Sequence, residues 1–272
     1  MEETLLLRDI QLQELNILID VARICEENNI RYTLAYGTLI GAVRHKGFIP
    51  WDDDIDVAVP RDDYNRLKKY FAEHDTKYKV FGGYYSLGDC TTSFMKVCNQ
   101  KIHIIEKGLE LENGLGIDIF PIDGFGDDEE KAKKIAKRYW FLVSREYCLR
   151  EPNNPYIKNA SFIKKVSKRL LNVVYRVIGI KNIEKKIEKL VTSNSFDDSK
   201  WTGNITAEAG GFDSLFDTDV YRDFVDVEFE GHLFKSLKKQ DEYLTRIYGD
   251  YMKLPPESER EGKHELQVRI EK

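Results

Sequence analysis

The chain has 272 residues, 42% of them hydrophobic and 12% aromatic, and a formal net charge of −5. That composition suits one large domain, or a core domain with a sizeable appendage, and excludes a disordered chain. No run approaches the ~18 apolar residues of a spanning helix, and the opening MEETLLLRDIQLQEL has none of the features of a signal peptide.

Taken in chain order, Leu12, Leu15, Ile19 and Ala22, with Leu18 and Val21 beside them, recur at helical spacing up to a polar stop at Glu26-Glu27-Asn28-Asn29. RYTLAYG reads as a short strand, and Gly37-Thr38 opens a second helical segment, TLIGAVR. The loop HKGFIPWDD leads into the strand DIDVAV. Pro60 and Asp62 then mark the start of an amphipathic helix carrying Tyr64, Leu67, Tyr70 and Phe71. β-rich pieces follow, KYKVFGGYYSL, SFMKVCNQ, KIHIIEKG and GIDIFPID, separated by Gly, Asp and Asn.

From about Asp127 the pattern becomes helical, with one segment to about Leu149, a break at Glu151-Pro152-Asn153-Asn154-Pro155, and helices at about 161–178 and 182–192. VDVEFEGHLF predicts a hairpin turning at Glu230-Gly231, followed by a helix near 236–247, the segment YGDYMKLPP and a polar tail. The class is therefore α+β. A core of residues 1–126 carries the mixed sheet, and a mainly helical region of 127–272, with its hairpin, packs on it.

Charge is unevenly spread. Lys131–Lys189 holds 17 Lys/Arg against four Glu and no Asp, so the remainder of the chain carries −18. Within that basic stretch, SFIKKVSKRLLNVVYRVIG sets Ile163, Val166, Leu170 and Val177 on one stripe with Lys and Arg opposite. This is either a helix packed on the domain with a solvated basic face, or, across 161–191, a surface for anionic headgroups or an anionic polymer. The acidic balance and the lack of RNA-binding aromatic motifs argue against nucleic acid. Cys25, Cys90, Cys98 and Cys148 show no framework spacing and read as reduced thiols of a cytoplasmic protein; Cys90, Cys98 and His103 are the weaker zinc alternative.

The chemistry concentrates in PWDDDIDVAVP. Two carboxylates ~4 Å apart repel by roughly 4 kcal/mol at an effective dielectric of ~20, unless they diverge into water, take a proton or share a cation. In a strand, Asp54 and Asp56 share a face while Ile55 and Val57 take the other. Such a pair at a strand start suits a hard cation, and Mg²⁺ takes a few carboxylates together with substrate phosphate oxygens. GIDIFPID supplies a third acid, Asp118, on a strand otherwise made for burial, where a carboxylate calls for a cationic partner. Asp123, before Gly124, reads as a turn residue. Gly37-Thr38, between a strand and a helix start, offers amides and a hydroxyl for a phosphate. Arg44, Lys46 and Lys96 lie near these motifs and suit donor phosphates as well as they suit an ordinary surface; His45 and His264 are weaker candidates. Trp51, Tyr84, Tyr85 and Tyr251 suit either core packing or an aromatic cage for a quaternary ammonium.

The order of a Gly-Thr turn, an Asp-x-Asp strand and a later acid resembles the nucleotidyltransferase superfamily. More narrowly, YGTLIGAVRHKGFIPWDDDIDVAV and the ending IYGDYMKLPP resemble the LicD family of phosphocholine transferases, whose relatives include the fukutin-related proteins. The resemblance implies a nucleotidyltransferase-like mixed sheet flanked by helices. Gly37 and Thr38 become the phosphate-side turn, with Arg44 and Lys96 as further donor-binding candidates. Asp54 and Asp56 become the metal pair and Asp118 the third acid, while Asp52 orders the loop and Asp53 is solvated. It further implies a Mg²⁺-dependent (or Mn²⁺-dependent) transferase. This would move a phosphocholine-like group from a CDP-linked donor to a sugar hydroxyl of a glycan or lipid-linked glycan of teichoic acid or lipopolysaccharide type. The setting would be cytoplasmic, at or near the inner face of the membrane.

Three other readings share some of these features. The same fold used as a nucleotidyltransferase would add NMP to a small molecule or protein, and a non-catalytic module would bind metal or nucleotide only. A dehalogenase-type phosphatase wants Thr or Val where Ala58 stands and an apolar strand where Pro-Trp-Asp-Asp stands. A calcium loop counted from Asp52 would need Gly and Glu where Val57 and Asp63 stand.

Overall fold

The computed structural model describes residues 6–82, 94–106, 109–111, 114–150, 177–205, 215–260 and 266–270. The helix expected at about 161–178 lies almost wholly outside these residues, as do Tyr84, Tyr85, Cys90 and His264.

Six α-helices appear among the described residues: α1 (Leu7–Glu27), α2 (Tyr36–His45), α3 (Arg61–Glu73), α4 (Glu129–Arg150), α5 (Ile180–Val191) and α6 (Gln240–Tyr248). The strands are β1 (Thr33–Leu34), β2 (Asp56–Pro60), β3 (Lys79–Gly82), β4 (Met95–Asn99), β5 (Ile102–Glu106), β6 (Leu109–Leu111), β7 (Leu115–Gly124), β8 (Trp201–Gly203), β9 (Leu215–Asp217), β10 (Phe224–Phe229), β11 (His232–Leu237) and β12 (Leu266–Ile270). The architecture is the expected α+β.

The central sheet runs β1-β2-β7-β4-β3, with β8 on the end of β7 and β9 beyond it. β2 and β7 are parallel, and every other pairing in the sheet is antiparallel. This register fixes the site, because it sets Asp56 beside Asp118 and Asp118 beside Lys96 on three neighbouring strands. Alternation sends Ile117 and Ile119 to the other face, where both are fully buried. Each such side chain removed from water contributes about 1.5–3 kcal/mol.

Helix α1 buries Ile10, Leu15, Leu18, Val21 and Cys25 at helical spacing. It ends where Asn28 turns its side-chain amide back to the Ile24 carbonyl (2.8 Å) and Asn29 adopts the left-handed region (φ 51°). Helix α5 places Ile183, Ile187 and Val191 in a second core with α4, Phe125 and Leu215. The main core extends from Leu15 through the central strands to Phe216, Phe234, Tyr243 and Tyr251, so side chains of β9, β10, β11 and α6 close the same hydrophobic interior as α1 and β2.

The predicted hairpin is present as β10–β11. Glu230 (φ 53°) and Gly231 (φ 77°) form its two-residue turn between the paired Phe229 and His232, the conformation that a mirror-image turn requires. Two expectations fail. RYTLAYG contributes only Thr33–Leu34 to the sheet, because Tyr36 already begins α2. Asp123 is not a turn residue: β7 continues through it, and it is fully buried in a two-pronged ion pair with Arg61 Nε (2.5 Å) and Nη2 (2.9 Å). Gly124 beside it leaves no room for a side chain, since a Cβ there would lie 2.2 Å from the Ser195 carbonyl oxygen.

Candidate active site

The site forms where β2 begins. Ile55 O accepts the Asp118 amide (2.9 Å), and Asp56 is the first residue of the strand, so Asp54 lies in the loop before it. The expected strand pair of Asp54 and Asp56 is therefore a loop acid next to a strand acid. Asp56 is held from both sides of its backbone. Its carbonyl accepts the Ala35 amide (3.0 Å), and its amide donates to the Thr38 hydroxyl (2.8 Å). Thr38 is buried, and its hydroxyl oxygen, by accepting from the Asp56 amide, helps to place that acid.

Gly37 also acts on the acids. A Cβ there would approach Asp52 Oδ2 to 2.7 Å, so the missing side chain is what lets Asp52 lie over the first turn of α2. The unusual backbone belongs to the preceding residue, Tyr36, whose φ of 45° is rare for a bulky side chain. Its buried ring is wedged against Phe120 (5.5 Å, edge-on) and Tyr243 (6.3 Å), which over-determines that conformation.

On β7, Asp118 Oδ1 pairs with Lys96 Nζ at 2.8 Å, so the cationic partner expected for this acid is the cross-strand lysine. Asp52, Asp53 and Asp54 bring carboxylate oxygens within 4.8 Å of one another. Asp53 is not solvated as expected. It is 6% exposed, because the loop is roofed by α1, whose Gln11 side chain donates to the Asp52 carbonyl (2.8 Å).

The Asp56 carboxyl is pushed well above the usual range, first by removal from water and then by Asp54, Asp118 and Asp52, with Lys96 opposing. Two residues that the sequence reading missed share this field. Glu14, on α1, is raised well above its usual range by burial and then by Asp54, Asp53 and Asp118. Tyr248, on α6, is raised by burial and then by Asp56, Asp52 and Asp54, while 39% of it stays exposed. Glu14 did carry a signal: it is an acid one turn from both Ile10 and Leu18, inside the buried stripe. Tyr248 lies in the family-like ending IYGDYMKLPP, but nothing local ties it to the acids, since its approach to them depends on how α6 docks.

Other candidates are used elsewhere. Arg44 Nη1 donates to the carbonyls of Tyr251 (2.6 Å) and Lys253 (3.4 Å), and its Nε lies 2.9 Å from His45 Nε2, which ties α2 to the C-terminal segment. Tyr251 is buried and donates to Asp241 (2.8 Å). Trp51 is half-buried under the Arg260 guanidinium. Cys25 and Cys98 are buried. Among the described residues no helix is long and apolar enough to cross a membrane.

Hard carboxylate oxygens gathered around a buried acid such as Asp56, whose ionisation they oppose, fit a divalent cation such as Mg²⁺ or Mn²⁺. Among the described residues the acids whose oxygens come within 4.8 Å of one another are Asp52, Asp53 and Asp54, and Asp56 and Asp118 stand next to them in register on the two parallel strands.

Known proteins place the same chemistry in context. The LicD/FKTN/FKRP nucleotidyltransferase-domain family matches residues 29–156, which span α2, the acidic loop, β2 and β7. The lipopolysaccharide cholinephosphotransferase LicD of Haemophilus influenzae is 32% identical over 268 residues, covering 96% of each chain. Shorter matches join the chain to uncharacterised proteins of Rickettsia prowazekii (37% over 59 residues, 22% of each chain) and Rickettsia typhi (45% over 47 residues, 17% of this chain and 15% of the relative). With a similarity that runs nearly end to end, and with Asp56, Asp118 and Lys96 in register at its centre, the chain belongs to the LicD family.

Proposed function

We propose that this protein is a divalent-cation-dependent phosphotransferase. It transfers a phosphocholine-like group from a CDP-linked donor to a sugar hydroxyl of a cell-surface glycan precursor, of lipopolysaccharide type in the first instance. The observation that carries this reading is the row Asp56–Asp118–Lys96 across three adjacent strands, with Asp54 beside it, in a chain similar over 96% of its length to a lipopolysaccharide cholinephosphotransferase.

The reaction asks the protein mainly to position and to neutralise. A bound Mg²⁺ or Mn²⁺ would supply charge neutralisation at the donor pyrophosphate, held by Asp54, Asp56 and Asp118. Asp56 is oriented by Thr38 and Ala35 through its own backbone, which fixes the acid without using its carboxylate. Lys96 adds a positive charge at the same row. Asp118 is suited to accept the acceptor hydroxyl proton as that oxygen bonds to the distal phosphorus. The bond from that phosphorus to the bridging oxygen then breaks, and CMP leaves with the electron pair.

Incubation with CDP-choline, Mg²⁺ and a lipopolysaccharide acceptor is expected to release CMP and to add the mass of phosphocholine to the glycan. Asp56→Ala should abolish both. Release of pyrophosphate from an NTP in place of CMP would identify a nucleotidyltransferase. Parent-like turnover by Asp56→Ala would overturn the metal assignment.

A further inference from the structure

Helix α1 precedes the residues that match the family domain, yet it carries a buried acid, Glu14, on which the charges of Asp54, Asp53 and Asp118 act. Glu14 is 2% exposed, and its Oε2 has no hydrogen-bond partner. The helix holds it there. One turn earlier Gln11 donates to the Asp52 carbonyl, and a further turn back Arg8 pairs with Glu230 of the hairpin turn. These contacts seat this face of α1 on the acidic loop, so Glu14 cannot turn out to water without undocking the helix.

A buried carboxylate beside other carboxylates has to be compensated. Leucine or glutamine at this position would continue the buried stripe of Ile10, Leu18 and Val21 at less electrostatic cost. The lysine of the group, Lys96, is ion-paired with Asp118 at 2.8 Å and offsets only a small part of the charge around Glu14. We propose that Glu14 is a further acid of the cation site, its free Oε2 joining Asp54, Asp56 and Asp118 in holding the divalent ion. The cation thereby fastens α1 to the central sheet. This rests on the divalent-cation reading above. It makes α1 part of the loaded site, so that metal binding and the docking of the N-terminal helix are one event.

Mn²⁺ titration of the full chain, followed by electron paramagnetic resonance, tests the proposal with Glu14→Gln, Glu14→Asp and Asp56→Asn. Glu14→Gln is expected to weaken Mn²⁺ binding at least tenfold without lowering the metal-free melting temperature, and Glu14→Asp to weaken it less. Hydrogen exchange of residues 10–18 in the parent should slow several-fold when Mn²⁺ is added, a readout that needs no variant to fold. Parent-like Mn²⁺ affinity in Glu14→Gln, with affinity lost in Asp56→Asn, would leave Glu14 a packing acid and overturn the proposal. Unchanged exchange in α1 would overturn it as well. Parent-like affinity in both variants would remove the cation reading itself and Glu14's role with it.

Discussion

Asp118 and Asp123 lie on the same strand, on opposite faces, and meet different electrostatic surroundings. Asp123 is fully buried and answered one-to-one by Arg61 through two hydrogen bonds; burial raises its carboxyl and the guanidinium opposes that. Asp118 keeps 17% of its side chain exposed and has Lys96 on one neighbouring strand, but Asp56 on the other, and its charge acts on both Asp56 and Glu14. Asp123 and Arg61 make a neutral strut. Around Asp118 like charges gather at a place open to solvent, and such a place is built to be completed by something from outside. A buried acid thus becomes a candidate for chemistry through the charges it is grouped with, more than through burial alone.

The comparison breaks most visibly in activity. Asp118→Asn keeps the shape and removes one negative charge, so phosphocholine transfer should fall on the order of 10³-fold. The metal-free melting temperature should hold or rise, since like-charge repulsion is relieved. A loss of stability that accounts for the lost turnover would make Asp118 another strut.

Arg61→Ala is the mirror experiment. It strands the Asp123 carboxylate in the interior and should cost about 3–5 kcal/mol in denaturant unfolding, while turnover per folded molecule is retained. Replacing both partners with apolar residues of similar volume, as in Arg61→Met with Asp123→Leu, should recover most of that stability. If the double variant folds well but loses transfer, the pair belongs to the chemistry and the distinction drawn above is wrong.

Much of this was legible in the sequence where local pattern carried it. The spacing of Leu15, Leu18 and Val21 marks α1, Glu230-Gly231 marks the hairpin turn, and PWDDDIDVAVP with GIDIF marks the two acid-bearing strands. What stayed hidden depends on register and docking. Lys96 becomes the partner of Asp118 only once β4 is aligned on β7. β8 and β9 are three residues each, too short for an alternating pattern, and β12 pairs with β5 from more than 150 residues away. Asp53, expected to be solvated, and Asp123, expected in a turn, depart from the sequence for one shared reason: an acid beside a loop or a glycine looks like surface until the element that covers it is known. For Asp53 that cover is α1, and for Asp123 it is Arg61 on α3.

Glu230 extends the comparison to a third acid and gives the smallest effect. It accepts from Arg8 and from the Phe48 amide (3.1 Å), joining the hairpin turn to α1 and to the loop that leads into PWDDD. Its carboxyl is held below its ordinary value of 4.5, chiefly by the Arg8 hydrogen bond, the opposite direction from Asp56 and Glu14. A depressed folded-state pKa means that its stabilisation is fully present above the unfolded value, and is lost as pH falls through the folded value. Glu230→Gln should therefore lower stability at neutral pH by about 1.5–3 kcal/mol, the range for a hydrogen bond to a charged group. The gap to the parent should stay constant while pH remains well above 4.5 and close as it falls below that value. Urea midpoints of parent and variant across that range measure it. A gap that persists undiminished in acid would show that the carboxylate's shape, and not its charge, holds the hairpin turn on α1.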